Sequence, residues 1–256
     1  MAQASATVGL EDRDRLGNTK LINAVLDGSA AEVSRLIQLG ANVNAMNLEG
    51  DTALIAAAKI GNYSILTFLL SVNADANAMN SNNDTALNIA SARGQPGLVK
   101  ALLAQTGINP SIANISDGFT PLHSAIYAHY YEGRSLDMVI DLIHASSDIE
   151  ARTKDKGYTP LMLAASLGLS QAVMRLLEAG AGLYATSPQG ETALDIARRE
   201  NHTLVASILS DDHWANSAPS RSDLLRKGAE GKVRMKGQMD AINEAISDIE
   251  GMFVQQ

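Results

Sequence analysis

Apolar residues return along this chain in short blocks of two alternating kinds. One kind is rich in alanine, as in Leu54-Ile55-Ala56-Ala57-Ala58 and Leu161-Met162-Leu163-Ala164-Ala165. The other carries a pair of large aliphatics: Leu36-Ile37, Leu69-Leu70, Leu102-Leu103, Leu142-Ile143, Leu176-Leu177 and Ile208-Leu209. Short apolar blocks separated by Gly, Asn and Asp breaks predict pairs of short helices rather than long ones. The small side chains of the first kind let neighbouring helices approach closely, and the aliphatic pairs of the second supply bulk for a core.

The alternation has a fixed period. A Thr followed by a variable residue and Leu opens the first helix of each pair, at Thr19-Lys20-Leu21, Thr52-Ala53-Leu54, Thr85-Ala86-Leu87, Thr120-Pro121-Leu122, Thr159-Pro160-Leu161 and Thr192-Ala193-Leu194. Successive threonines stand 33, 33, 35, 39 and 33 residues apart. A Thr hydroxyl can cap the exposed N–H groups of a helix start, and Pro is tolerated in the first turn. Nine residues after the Thr lie Gly28, Gly61, Gly94, Gly168 and, in the sixth unit, Asn201. Gly and Asn accept the left-handed backbone that ends a helix. After the second helix, Gly40-Ala41-Asn42-Val43-Asn44, Asn73-Ala74-Asp75-Ala76-Asn77 and Gly180-Ala181-Gly182-Leu183 turn the chain into the next loop.

This unit resembles the ankyrin repeat, whose length is about 33 residues and whose signature tetrapeptide is the Thr-Pro-Leu-His found at Thr120-Pro121-Leu122-His123. The resemblance spans residues 12–211. It implies an all-α solenoid of stacked helix-turn-helix units with loops or hairpins on one edge, each unit stable only through its neighbours. The first helices are expected to start near 19, 52, 85, 120, 159 and 192, with residues 1–11 as an N-terminal extension. It also implies a non-catalytic module that binds another protein on a concave face. Immunity proteins and regulatory inhibitors of enzymes built from ankyrin repeats are similar in being little more than a stack with a short tail. The expected function is therefore capture of a partner, with inhibition or sequestration. The alternative is an adaptor or secreted effector that bridges two partners through the repeats and the C-terminal segment.

The 39-residue interval holds the largest departure from the pattern. Its glycine is reached at Gly133, thirteen residues after Thr120 rather than nine. Four added residues are about one helical turn, which predicts a first helix reading on from Leu122 to Glu132. That turn brings Tyr127, His129, Tyr130 and Tyr131 together. The position before each Thr reads Asn18, Asp51, Asp84, Phe119, Tyr158 and Glu191, and the resemblance places this column on the partner-binding face. Phe119, Tyr127, Tyr130, Tyr131 and Tyr158 make up half of the ten aromatic residues, and aromatic anchors are enriched at binding hot spots. Met46, Leu48, Ile60 and Met79 are further candidate contacts, at surface positions of the N-terminal repeats.

At the N-terminal end, Asp12, Asp14 and Lys20 give the first repeat a polar character that suits a cap. At the other end, residues 212–222 read as a linker and 223–256 as an amphipathic helix. Met235, Met239, Ile242, Ile246, Ile249 and Phe253 are spaced 4, 3, 4, 3 and 4, a heptad stripe that needs an apolar surface to lie against. The expectation is a cap over the sixth repeat.

Composition narrows the chemistry. A net charge of −8 disfavours nucleic acid, which requires a basic face, and favours a partner with a basic or mixed surface. Without cysteine there is no disulfide, thiolate metal site or cysteine nucleophile. The histidines form no HExxH pair, and no Walker loop, GxSxG elbow or dinucleotide fingerprint occurs. No catalytic residue, cofactor or metal is therefore expected. No run approaches a membrane span and residues 1–10 lack the regions of a signal peptide. The expectation is a soluble, monomeric, cytoplasmic chain, with export left open if Met1 replaces a removed signal peptide.

Overall fold

The computed structural model describes residues 9–133, 135–145, 147–211 and 214. Among these, twelve helices alternate between first and second positions of six repeats. Repeat 1 contains α1 (Lys20–Leu26) and α2 (Ala30–Gln38), repeat 2 α3 (Ala53–Ile60) and α4 (Tyr63–Ser71), repeat 3 α5 (Ala86–Ala92) and α6 (Pro96–Leu103). Repeat 4 contains α7 (Pro121–Glu132) and α8 (Asp137–His144), repeat 5 α9 (Pro160–Ser166) and α10 (Ser170–Glu178), repeat 6 α11 (Ala193–Arg199) and α12 (Thr203–Leu209). The all-α solenoid expected from the sequence is the observed fold.

The threonine column does what its chemistry allows. Thr19, Thr52, Thr85, Thr159 and Thr192 each accept a hydrogen bond from the backbone N–H three residues on, at 3.2–3.3 Å. All have extended backbone and precede the helix by one residue, so each helix starts one residue after the position read from sequence. Gly28, Gly61, Gly94, Gly133, Gly168 and Asn201 all have φ between 59° and 75°, the left-handed conformation that terminates the first helix.

First helices pack on first helices along the stack and second helices on second helices, each pair also closing on itself. Alanines occupy the closest contacts: Ala57, Ala90, Ala125, Ala164 and Ala197 are fully buried. Leu36, Leu69, Leu102, Leu142 and Leu176 fill the space between the two rows with at most 1% exposure. In repeat 6 it is Leu209 rather than Ile208 that takes this buried place, at 3%.

The connections between repeats are held by polar ladders. The Asn-x-Asn turns place one side chain on its own backbone and the other on the next repeat. Asn42 accepts from the Asn44 N–H at 3.0 Å, and Asn44 in turn accepts from the Asp75 N–H at 2.9 Å. Glu11, Asn77, Ser111 and Glu150 repeat that second bond to Asn42, Asn109, Asp148 and Gly182, at 2.7–2.9 Å. On the opposite loops, backbone N–H groups of Leu48, Ser81, Ile115 and Lys154 donate to carbonyls of the preceding repeat at 2.7–3.1 Å. Only isolated bridges, Arg13 with Thr19 and Thr186 with Thr192, represent strand pairing among the described residues. Each loop bonds along the stack instead of building a hairpin strand. The 235–253 stripe and, apart from Trp214, the linker lie outside the described residues.

Candidate protein-binding groove

Helix α7 is twelve residues long, whereas the other first helices have seven or eight. The extra turn carries it about 6 Å beyond its neighbours at 1.5 Å per residue. α5 and α9, on either side, stop at Ala92 and Ser166. Side chains of the added turn therefore have no flanking helix to cover them.

Two of them, Tyr130 and Tyr131, are exposed aromatics, and Tyr127 in the preceding turn is exposed beside them. Tyr127, Tyr130 and Tyr131 show 41%, 47% and 63% of their surfaces. Tyr127 and Tyr131 stand one turn apart with ring centroids 4.4 Å apart, and Tyr130 meets Tyr131 edge-on at 4.7 Å. Phe119, half-buried at the foot of the helix, touches Tyr127 edge-on at 6.0 Å and His123 at 5.6 Å. The Tyr127 phenol is raised above its ordinary pKa by its hydrogen bond with Tyr131, by partial desolvation and by the neighbouring phenols. His129 is half-buried in the same helix.

Phe119, Tyr127 and Tyr131 of this aromatic ridge, though not Tyr130, line a groove of about 760 Å³ that crosses repeats 2 to 5. Its floor comes from the first helices and their ends, among them Lys59, Ile89, Ala92, Arg93, Leu163 and Ser166, and its other wall from Asp84, Asp117, Asp155 and Lys156 on the loops. Ala92 and Ser166 occupy the same register as Tyr127 in the flanking repeats, so small side chains flank the ridge on both sides.

Tyr158 does not join the exposed set. It borders the groove, but only 4% of it is exposed. Its hydroxyl accepts from Arg199 at 3.0 Å, its carbonyl accepts from His123 Nε2 at 3.2 Å, and Lys156 Nζ stands 5.4 Å from its ring centre. The reason is register. In this repeat the column before the Thr points into the stack, as Asn18 and Asp51 also do at 3% and 4% exposure. Asp51 is held there by Lys59, which also reaches Glu49 at 3.2 Å, and by Asn80 at 3.1 Å. Desolvation opposes the Lys59 charge, yet these carboxylates win and its pKa is raised. The column thus splits between support and surface rather than forming one face.

The remaining candidates lie elsewhere. Met46, Leu48, Ile60 and Met79 are exposed at 43%, 77%, 40% and 44%, but none lines the groove. Leu48 covers Gly17, where an added Cβ would come within 2.7 Å of its Cγ. Arg93, Asp117 and Asp155 carry no sequence signal of their own strong enough to mark them. Arg93 comes nearest, because it shares the helix-end register of Ile60.

Sequence models described as "Ankyrin repeats (3 copies)" match residues 56–135 and 128–218, and one described as "Ankyrin repeats (many copies)" matches residues 21–70. The chain belongs to the ankyrin-repeat family. Among solved structures, this ankyrin chain is similar to the ankyrin repeat domain of Bcl-3, a member of the IkappaB protein family. The TM-score is 0.67 and the identity 27%, covering 75% of this chain and 85% of that one. Among curated proteins it is 28% identical over 50% of its length to the tyrosine-protein kinase Shark of Drosophila melanogaster, covering 15% of that protein. It is 34% identical over 38% of its length to neurogenic locus notch homolog protein 1 of Xenopus laevis, covering 4%, and 30% identical over 43% to dauer abnormal formation protein 25 of Caenorhabditis elegans, covering 27%. The chain spans less than a third of the length of these relatives. Ankyrin repeats are protein-protein interaction modules, and no helix among the described residues is long and apolar enough to cross a membrane.

Proposed function

We propose that this chain is a non-catalytic capture module that holds a partner protein in the groove beside α7 and, by occupying the partner's surface, inhibits or sequesters it. The single observation behind this reading is the extra turn of α7. It carries Tyr130 and Tyr131 past the ends of α5 and α9, beside Tyr127 in the last register the three helices share, and all three rings are exposed. Large exposed aromatics with two rotatable torsions lose little entropy on binding and bury much apolar surface, which is why they dominate hot spots. Phe119 supports them from below, and Tyr158 fixes the loop beneath rather than touching the partner.

Capture from an extract of the native source tests this, with the Tyr127→Ala/Tyr130→Ala/Tyr131→Ala chain as control. A partner retained by the parent and lost from the triple variant, with melting temperature shifted by only about 2 °C, supports the groove; equal retention by both chains refutes it. Inhibition is read by adding purified chain to the captured protein and following that protein's own activity.

The second reading, a bridge between two partners, is favoured by the heptad stripe of residues 235–253. Crosslinking distinguishes the two: links from that segment to a second protein support bridging, and links to repeat 6 support a single-partner module.

A further inference from the structure

The loop wall of the groove and its aromatic wall differ in chemistry. On the loop side, Asp84, Asp117 and Asp155 come from three successive repeats, and none of them forms an ion pair among the described residues. Asp84 uses one carboxylate oxygen to accept from Asn82 at 2.8 Å, and Asp117 uses one to accept from the Phe119 N–H at 2.9 Å. Each keeps its second oxygen without a described partner. Of the cations bordering the same space, Lys59 is held by Asp51 and Glu49, and Lys156 lies over Tyr158. A ring contact does not cancel the Lys156 charge, so Lys156 and Arg93 stand against the three carboxylates, and the loop wall keeps a net negative charge adjacent to π-faces.

Asp117 is two residues before Phe119, whose ring meets Tyr127 at 6.0 Å. A carboxylate and a pair of aromatic rings therefore border one corner of the groove. That combination suits one kind of guest. A guanidinium is planar, stays charged, stacks on an aromatic face and fits a carboxylate with two parallel hydrogen bonds. An ammonium matches the charge but not the plane, and an apolar side chain would leave Asp117 desolvated without a partner, which is costly.

Resting on the capture reading above, we propose that the partner inserts an arginine side chain at this corner, stacked against Phe119 and Tyr127 and hydrogen-bonded to Asp117. Asp84 and Asp155 on the neighbouring loops add to the negative potential that selects it.

The experiment is a selection of peptides from a random phage-displayed library on the full chain, followed by titration of the synthetic winners. Winners carry an arginine, and replacing it by citrulline, which keeps the shape and removes the charge, weakens binding about tenfold, the scale of a lost charge-assisted pair. Asp117→Asn, which retains the acceptor for the Phe119 N–H, weakens the arginine peptide by a similar factor and leaves the citrulline peptide nearly unchanged, so the two losses are not additive. Winners that depend on Tyr127 and Tyr131 but contain no required arginine overturn the arginine corner and leave the groove standing. A selection with no winners, or with winners indifferent to Tyr127→Ala/Tyr131→Ala, overturns both.

Discussion

His123 occupies the third position of α7 with its ring sealed from water, and its neighbours define its tautomer. Nδ1 lies 2.9 Å from the Thr120 hydroxyl and accepts from it, while Nε2 carries the hydrogen and donates to the Tyr158 carbonyl at 3.2 Å. Asn88 does the same in the preceding repeat: its amide oxygen accepts from Thr85, and its NH₂ donates to the carbonyls of Ile112 and Phe119 at 2.9 and 3.3 Å. Burial pushes the His123 pKa down to about 4, against 6.5 for the free side chain. Because the folded value is the lower one, the unfolded chain binds the extra proton between these two values. Stability is complete above about pH 6.5 and falls as pH drops towards 4, by about 2 kcal/mol between pH 7 and pH 5. In His123→Asn, urea melts at those two pH values should differ by less than in the parent, by about that amount, since the Asn88 arrangement shows the substitution is compatible with the site. An unchanged slope would mean that the ring is not held neutral. The Thr-Pro-Leu-His motif made His123 legible as a structural residue; its perturbed acidity was not, because that depends on what covers the ring.

At the level of the element, the added turn of α7 is separable from the repeat that contains it. Removing residues 129–132 joins Ala128 to Gly133 and restores the nine-residue interval between Thr and Gly found in repeats 1, 2, 3 and 5. Ala125, Ile126 and Ala128, which pack into the stack, are left in place at 0–4% exposure. The deletion should therefore shift stability by about 1 kcal/mol or less while abolishing partner capture, as thermal melts and a pulldown would show. A large loss of stability would mean the turn belongs to the fold and would weaken the case for it as a contact surface. The length of this helix was readable from the delayed glycine, because the helix period fixes what four residues must add. Which of its tyrosines face the groove was not, and neither was the burial of Tyr158, because the direction of a side chain at a loop end depends on the neighbouring repeat.

Across the whole molecule, a repeat stack has two ends at which a repeat lacks a neighbour, and both need covering. At the N-terminal end the Asp14 carboxylate accepts from the Leu16 and Asn18 N–H groups and from the Asn18 and Asn23 side chains, at 2.8–3.1 Å, which ties the loop before α1 to that helix. For the other end, the sequence stripe at 235–253 is proposed as the cover. A chain ending at Ala218 should then melt lower, by about 2–4 °C for each kcal/mol of lost contact, and be less soluble; an unchanged melt removes the stripe from the stability of the stack. The family, the six units, the caps and glycines that bound the first helices and the long helix of repeat 4 were legible in the sequence alone, since capping, left-handed glycines and helix period act within a few residues of each other. The groove, its negative loop wall, the retreat of Tyr158 and the inter-repeat ladders were decided only by tertiary structure. They join residues about 30 to 40 positions apart, and which faces meet is set by stacking one repeat on the next.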